Sequence, residues 1–184
     1  MKFPNHIFLI VGQSGAGKDT VVNKLCRYYH ATQLKSYTTR PKRYDKEDCH
    51  TFIESTKDDF SDVKEQYPHR VAETIFDNHF YFATQEQVDE SDFYIIDLDG
   101  VKTFKDKYKG NKKVVIVYLE LPPLIEIIRL LKRGDSEDAI KQRVYHDIEA
   151  FADASEYCDY KINAGKSKRY TFNKLRHIIE KEIK

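Results

Sequence analysis

The chain has 184 residues, a hydrophobic fraction of 40 % and a formal net charge of +1. This length fits one domain with a small inserted part, and the balanced charge argues against a surface dominated by nucleic-acid binding. No apolar run is long enough to span a bilayer, and three scattered cysteines without a C-x-x-C pair argue against zinc and favour a reduced, cytoplasmic setting.

The chain opens with an apolar run, Ile7 to Val11, that predicts a buried strand. A glycine-rich turn ending in Gly17-Lys18 follows, and then apolar residues recur at helical spacing. Strand, glycine-rich turn and helix are the context that a phosphate-binding loop requires, because the backbone N–H groups, the lysine and the helix N-terminus converge on one anion. The alternative is an ordinary strand-turn-helix without a ligand. The residues of this predicted donor loop are Gly12, Gln13, Ser14, Gly15, Ala16, Gly17, Lys18, Asp19 and Thr20.

Downstream, residues 36–84 are polar and rich in Tyr and Phe, which predicts a small lobe of short strands and a helix. Three further strands are predicted at the apolar runs Phe93–Ile96, Val114–Leu119 and Tyr160–Ile162. The densely charged segment Lys132–Gln142 is interpreted as a mobile flap, and an amphipathic helix is predicted over Tyr170–Ile183. The alternation of strands and helices indicates an α/β fold with a mostly parallel sheet.

Beyond the donor loop, several segments resemble the guanylate kinase family in their order and spacing. These are Ser36–Arg40, Asp48-Cys49-His50, Tyr81–Thr84, Ile95–Val101 and Arg133-Gly134. The resemblance implies a single phosphate-loop kinase domain over 1–184, with a central parallel sheet flanked by helices, an inserted lobe that binds a nucleoside monophosphate, and a short lid. The implied core covers about 1–34, 86–125 and 144–184, the lobe about 35–85 and the lid about 126–143.

The resemblance also implies the reaction, ATP-dependent transfer of a phosphoryl group to GMP or dGMP, with Mg²⁺ accompanying ATP. Such a transfer needs in-line positioning and positive charge around the transferring group. The implied catalytic residues are Lys18, Arg133 and Arg143. From the residues alone, the two arginines could equally belong to a solvated charged face, but an arginine fork suits a phosphate gripped by a closing lid.

Further assignments for the donor and its metal follow from the same resemblance. Arg129 and Asn163 are expected to contact ATP. Mg²⁺ is expected to be held by Asp19, Thr20 and Asp97, directly or through a bridging water. Asp19 departs from the family pattern, which has a hydroxyl residue at this position.

The residues assigned to GMP are Ser36, Arg40, Arg43, Cys49, Glu73, Phe82, Thr84, Asp97 and Asp99. The arginines are expected to hold its phosphate. Guanine presents N1–H and a 2-amino group side by side, so a carboxylate from Glu73 is the natural partner, and Thr84 can donate to O6. Asp97 ends a predicted strand and Asp99 lies two residues on, so both are expected on one face.

Two of these positions depart from the family pattern, since Cys49 and Phe82 stand where the family has tyrosines. Each lost hydroxyl is expected to weaken acceptor binding by about 1 kcal/mol. Tyr37, Tyr44 and Tyr81 are the candidates to compensate.

Two alternatives stay open. Gly-Lys-Asp together with Tyr37-x-Thr39-Arg40 also resembles the ribose 1,5-bisphosphate phosphokinases, although these have no guanine to recognise. A non-catalytic guanylate-kinase-like module that binds protein partners is less favoured, because the lysine and the lid arginines are retained.

Overall fold

The computed structural model describes residues 2–184, which form nine β-strands and eight α-helices. The strands are β1 (His6–Gly12), β2 (Gln33–Leu34), β3 (Tyr37–Thr38), β4 (Thr51–Phe52), β5 (Arg70–Phe76), β6 (His79–Thr84), β7 (Phe93–Ile95), β8 (Lys113–Glu120) and β9 (Tyr160–Asn163). The helices are α1 (Lys18–Tyr29), α2 (Ser61–Gln66), α3 (Gln85–Asp89), α4 (Leu98–Lys107), α5 (Pro123–Arg133), α6 (Glu137–Ala150), α7 (Ala154–Tyr157) and α8 (Lys168–Glu182).

The larger sheet has the order β2-β7-β1-β8-β9 and is parallel throughout. Its central strand β1 is fully buried from Ile7 to Val11, because helices cover both faces of the sheet and leave no solvated face for polar side chains. The predicted α/β class and parallel sheet are therefore confirmed. The strand predicted to reach Ile96 ends at Ile95, since Asp97 already caps α4.

Apolar side chains of helices pack against both faces of this sheet. On one face, α1 and α8 pack against it through residues such as Leu25 and Leu175. On the other face, α4 contributes Leu98, Val101 and Phe104. The sheet is thus fixed on both sides, and the loops at the carboxyl ends of its strands project from a rigid frame.

A second sheet, β4-β3-β6-β5, is formed by residues 37–84, which we call the lobe. The lobe has its own small core, in which Val63, Phe80 and Phe82 pack together. It leaves the larger sheet after β2 and returns at α3. The two connections lie side by side, because the Gln87 amide donates to the carbonyl oxygen of Lys35 at 2.9 Å.

Helices α5 and α6 are joined by a tight turn and pack against each other, and we call this pair the helical lid. Gly134 ends α5 in the left-handed region at φ +90°, and the Ser136 hydroxyl caps α6 by accepting from the N–H of Ala139. The segment interpreted as a flap is therefore mostly helical, and its charges lie mainly on exposed helix surfaces. Across the described residues 2–184, no helix combines the length and apolar character needed to cross a membrane.

Candidate active site

The predicted donor loop joins the end of β1 to the start of α1, as the sequence indicated. Gly15 and Gly17 adopt φ values of +71° and +86°, which favour glycine. At Gly12 a Cβ atom would lie only 2.6 Å from the carbonyl oxygen of Leu119, so a side chain there would collide with β8. The glycines are therefore required by the backbone path that brings the loop against the sheet.

Lys18 folds back over this loop. Its Nζ donates to the carbonyl oxygens of Gly12 at 2.5 Å and Gln13 at 3.1 Å. Burial lowers the pKa of Lys18, while the nearby carboxylates of Asp19, Asp147 and Asp97 act in the opposite direction. A buried ammonium group surrounded by carboxylates is thus held at the position where an anionic phosphate is expected.

Two residues assigned to ATP, Gln13 and Arg129, make contacts that stabilise the donor loop. The Gln13 amide donates to the hydroxyl of Tyr118 at 2.7 Å, and its oxygen accepts from the N–H of Leu121 at 3.0 Å. Arg129 Nη1 donates to the carbonyl oxygen of Gly15 at 2.9 Å. These contacts give Gln13 and Arg129 a structural part in shaping the loop, which the sequence assignment to ATP did not include.

A cleft of about 730 Å³ opens between the loop, the lobe and α6. Of the residues that the sequence singled out, those lining it are Gly12, Ser14, Lys18, Asp19, Ser36, Arg40, Arg43, Cys49, Glu73, Asp97 and Arg143. Those that do not line it are Gln13, Gly15, Ala16, Gly17, Thr20, Phe82, Thr84, Asp99, Arg129, Arg133 and Asn163. The fold therefore brings donor, acceptor and lid residues from distant parts of the chain to one cleft.

Strand geometry explains why two of the assigned GMP residues face away. Phe82 is buried in the lobe core, with its ring 5.0 Å from that of Tyr37. The Thr84 hydroxyl accepts from the N–H of Gln87 and caps α3. Because neighbouring residues of a strand point to opposite faces, Tyr81 instead lines the cleft.

Helix geometry separates Asp97 from Asp99, so the expectation that they share a face was wrong. Asp97 caps α4, and its Oδ1 accepts from the N–H of Gly100 at 2.6 Å. Asp99 lies in the first helical turn with its side chain 75 % exposed, 3.8 Å from Lys102 Nζ. Strand alternation does not apply here because the strand has already ended.

A similar rotation separates Asp19 from Thr20. Both lie in the first turn of α1, where successive side chains are turned by about 100°. Asp19 lines the cleft, whereas Thr20 is exposed and does not. The structure therefore does not bring the Thr20 hydroxyl to the position assigned to it.

The acceptor side of the cleft contains a buried ion pair that the sequence did not identify. Arg40 donates to both carboxylate oxygens of Glu47, at 2.7 and 3.2 Å. Glu47 also accepts from the backbone N–H of Arg43 at 2.6 Å and from the thiol of Cys49 at 3.4 Å. The hydrogen bonds from Arg40 lower the pKa of Glu47 to about 2. Glu47 therefore fixes the orientation of the Arg40 guanidinium.

His50 and Ser36 complete this side. The Ser36 hydroxyl and His50 Nδ1 are 2.9 Å apart, and both residues line the cleft. Burial, and then the charge of Arg40, lower the pKa of His50. The acceptor side thus presents the neutral polar groups of Ser36 and His50 in addition to the arginines Arg40 and Arg43.

Glu73 lines the cleft with its side chain 15 % exposed, and cations hold it in place. Its Oε2 is 3.3 Å from Arg70 Nε, and its Oε1 accepts from Lys107. Burial alone would raise the pKa of Glu73, but the hydrogen bond from Lys107 and the charge of Arg70 lower it overall. Glu73 therefore offers an ionised carboxylate to the cleft.

Asp135 contacts both arginines of the helical lid, Arg133 and Arg143. Arg133 Nε donates to its Oδ1 at 2.8 Å, and Arg143 Nε lies 3.7 Å from its Oδ2. Arg143 reaches the cleft lining, whereas Arg133 is half exposed outside it. Asn163 does not line the cleft either, and its Oδ1 accepts from the N–H of Gly165 at 2.9 Å in the turn after β9.

Comparison with known proteins adds a second line of observation. No family model matches the chain. It is 30 % identical over 165 residues to a guanylate kinase of Alkalilimnicola ehrlichii, covering 85 % of this chain and 78 % of that protein. It is 28 % identical over 148 residues to the guanylate kinase of Mycoplasma genitalium, covering 75 % of this chain and 60 % of that protein. The crystal structure of guanylate kinase from Anaplasma phagocytophilum has a similar fold, with a TM-score of 0.67 at 17 % identity over 99 % of this chain and 88 % of that one.

Proposed function

The chain belongs to the guanylate kinase family of ATP:GMP phosphotransferases, and we propose that it transfers the γ-phosphoryl group of ATP to GMP in the cleft described above. One observation carries the proposal: the loop lysine Lys18, the lobe arginine Arg40 and the lid arginine Arg143 line a single cleft. Phosphoryl transfer depends mainly on such convergent positive charge and on positioning.

On the donor side, we assign the triphosphate to the loop. The loop N–H groups and the N-terminus of α1 provide donors for phosphate oxygens, and Lys18 provides a fixed charge. Asp19 and Asp97 line the same cleft. Mg²⁺ is commonly held by one or two carboxylates together with phosphate oxygens and waters, so this pair fits the metal that accompanies ATP. When bound, Mg²⁺ would be held by Asp19 and Asp97 and would neutralise phosphate charge.

On the acceptor side, we assign the GMP phosphate to Arg40 and Arg43, with Ser36 and Tyr81 as neutral donors. Arg40 is already oriented by Glu47, so little conformational entropy is lost when it binds an anion. Glu73 is assigned to the guanine edge, where its carboxylate can accept from N1–H and the 2-amino group. This contact has to compete with Lys107 and Arg70, which already pair with Glu73.

The lid arginines are assigned to the transferring group. Arg143 reaches the cleft and Arg133 lies at the turn of the helical lid, both beside Asp135. An incoming phosphoryl group offers a more highly charged partner than a carboxylate, so the arginines can exchange Asp135 for it as the lid closes.

The three free thiols, Cys26, Cys49 and Cys158, support the reduced cytoplasmic setting that we propose.

An acceptor screen tests this function. Purified protein with ATP and Mg²⁺ is expected to convert GMP to GDP in a coupled assay that measures ADP, with dGMP as a second acceptor. Ribose 1,5-bisphosphate serves as the competing acceptor, because Asp19 is shared with the phosphokinases of that sugar. Turnover of the sugar phosphate without turnover of GMP would overturn the proposal.

Glu73→Gln tests the guanine contact. We expect KM for GMP to rise about tenfold or more, because a carboxylate that accepts two hydrogen bonds is replaced by an amide that matches only one of them. The Kd for ATP is expected to stay unchanged. Glu65→Gln, on the exposed surface of α2 in the same lobe, is the matched control. An unchanged KM for GMP would show that Glu73 does not contact the base.

A further inference from the structure

Asp147 places a carboxylate directly on the donor loop. The backbone N–H of Ser14 donates to its Oδ2 at 2.6 Å, across 133 positions of the chain. Both residues line the cleft, and the side chain of Asp147 is only 8 % exposed. A carboxylate and a phosphate oxygen are both anionic acceptors, so they compete for the same N–H group.

Two neighbouring side chains, Glu126 and His146, hold Asp147 in place. Glu126, on α5, is 1 % exposed, and its Oε1 has no hydrogen-bond partner among the described residues. Burial and a hydrogen bond with Asp147 raise the pKa of Glu126 well above the usual carboxyl range, which favours its protonated form. His146 Nδ1 lies 3.1 Å from Oδ1 of Asp147. A protonated Glu126 hydrogen-bonds to Asp147 without adding a second negative charge beside it.

Other groups that are assigned to phosphate also lie beside carboxylates of the chain. Lys18 is half-buried, and Asp147 is one of the carboxylates that act on its ammonium group. At the lid, Asp135 holds a corresponding position between Arg133 and Arg143. The cationic and N–H groups assigned to phosphate are thus paired with carboxylates of the chain itself.

We propose that Asp147 is an internal competitor for the donor phosphates, and that it sets the affinity of the enzyme for ATP. The proposal rests on the proposed function in taking the loop as the ATP site. A triphosphate that enters the loop displaces the carboxylate from Ser14, and Asp147 withdraws towards Glu126 and His146. Breaking the charge-assisted hydrogen bond with Ser14 opposes ATP binding.

Isothermal titration calorimetry of the full chain with MgATP, without GMP, tests this proposal. Asp147→Asn keeps the shape but accepts more weakly, and Asp147→Ala removes the acceptor. We expect the Kd for ATP to fall about fivefold in the first variant and about tenfold or more in the second. Glu149→Gln removes one negative charge from the exposed surface of the same helix and is the matched control, expected to stay within about twofold.

The outcomes separate the possible roles. If Asp147 only braced the loop, both variants would bind ATP more weakly, and this result, like an unchanged Kd, would overturn the proposal. A melting temperature within a few degrees of the parent protein checks that each variant folds, and Asp147→Asn decides the question should Asp147→Ala not fold. Tighter ATP binding without GMP turnover would uphold this inference and overturn only the proposed acceptor. Binding of ATP by neither the parent protein nor the variants would overturn both.

Discussion

Lys18→Met is expected to lower kcat/KM for phosphoryl transfer by about 10²–10³-fold, the range typical of removing one group that stabilises developing charge. The reason is that the Lys18 ammonium group lies over the loop, where it contacts the carbonyl oxygens of Gly12 and Gln13. Steady-state kinetics with ATP and GMP measures the effect. Arginine is not expected to restore activity, since its planar fork does not fit the space of a compact ammonium group.

The melting temperature of Lys18→Met distinguishes a loss of catalysis from a loss of folding. Lys18 is half-buried and desolvation of its ammonium group lowers its pKa, so the charge itself is costly in the folded state. Lys18→Met is therefore expected to leave the melting temperature close to that of the parent protein. Lys24→Met, at an exposed position of the same helix, is the control and should retain full activity. Retained activity in Lys18→Met would remove the loop lysine from the mechanism.

Arg40→Met is expected to destabilise the protein by about 3 kcal/mol and to raise KM for GMP at least tenfold. The stability loss arises because Glu47, 3 % exposed, is left as a buried carboxylate without its partner. The loss of acceptor binding arises because the oriented guanidinium is gone. Urea denaturation and steady-state kinetics measure the two effects separately.

The double variant Arg40→Met/Glu47→Gln separates them further. Removing the stranded charge is expected to restore much of the free energy of unfolding, whereas KM for GMP stays high. If the double variant also regained GMP affinity, Arg40 would be a structural residue only.

The ion pair also predicts a pH dependence of stability. Arg40 lowers the pKa of Glu47 from its ordinary 4.5 to about 2 in the folded protein. A lowered folded pKa contributes stability that is fully present above 4.5 and is lost as the pH falls towards 2. The double variant lacks this titration, so its free energy of unfolding should fall less between these pH values.

The sequence was most informative where local chemistry determines local structure. The apolar run from Ile7 to Val11, the loop glycines and Lys18 predict strand, loop and helix independently of the rest of the chain. Arg40, which the family resemblance assigned to the acceptor, also lines the cleft. The strand, the loop and the helix depend on residues a few positions apart.

Features that depend on strand register were harder to predict. The hairpin between β5 and β6 turns at Asp77 and Asn78, both with positive φ, and this turn places Glu73 opposite Phe82. The same register pairs Thr74 with Tyr81, and both of these residues line the cleft. Glu73 and Phe82 form a cross-strand pair, yet only Glu73 lines the cleft, so the register alone does not predict where Phe82 lies.

Carboxylates from distant elements could not be predicted at all. The chain has 30 acidic residues, and nothing in the local pattern separates Glu47, Asp135 or Asp147 from those on the surface. Their partners become visible only when helices and lobe are brought together. Asp97 is an intermediate case, because an aspartate just before an apolar helix is a recognised N-cap signal.

The side-by-side connections of the lobe have an evolutionary consequence. The lobe is inserted between β2 and α3, and β2 pairs directly with β7, the strand that follows α3. Exchanging the whole lobe for another would leave the strand order of the larger sheet and the donor loop untouched. The acceptor residues Arg40, Arg43 and Glu73 all lie in this one insertion, so a change of acceptor can be concentrated there and at the α4 residue Lys107 that contacts Glu73, while the donor loop is retained.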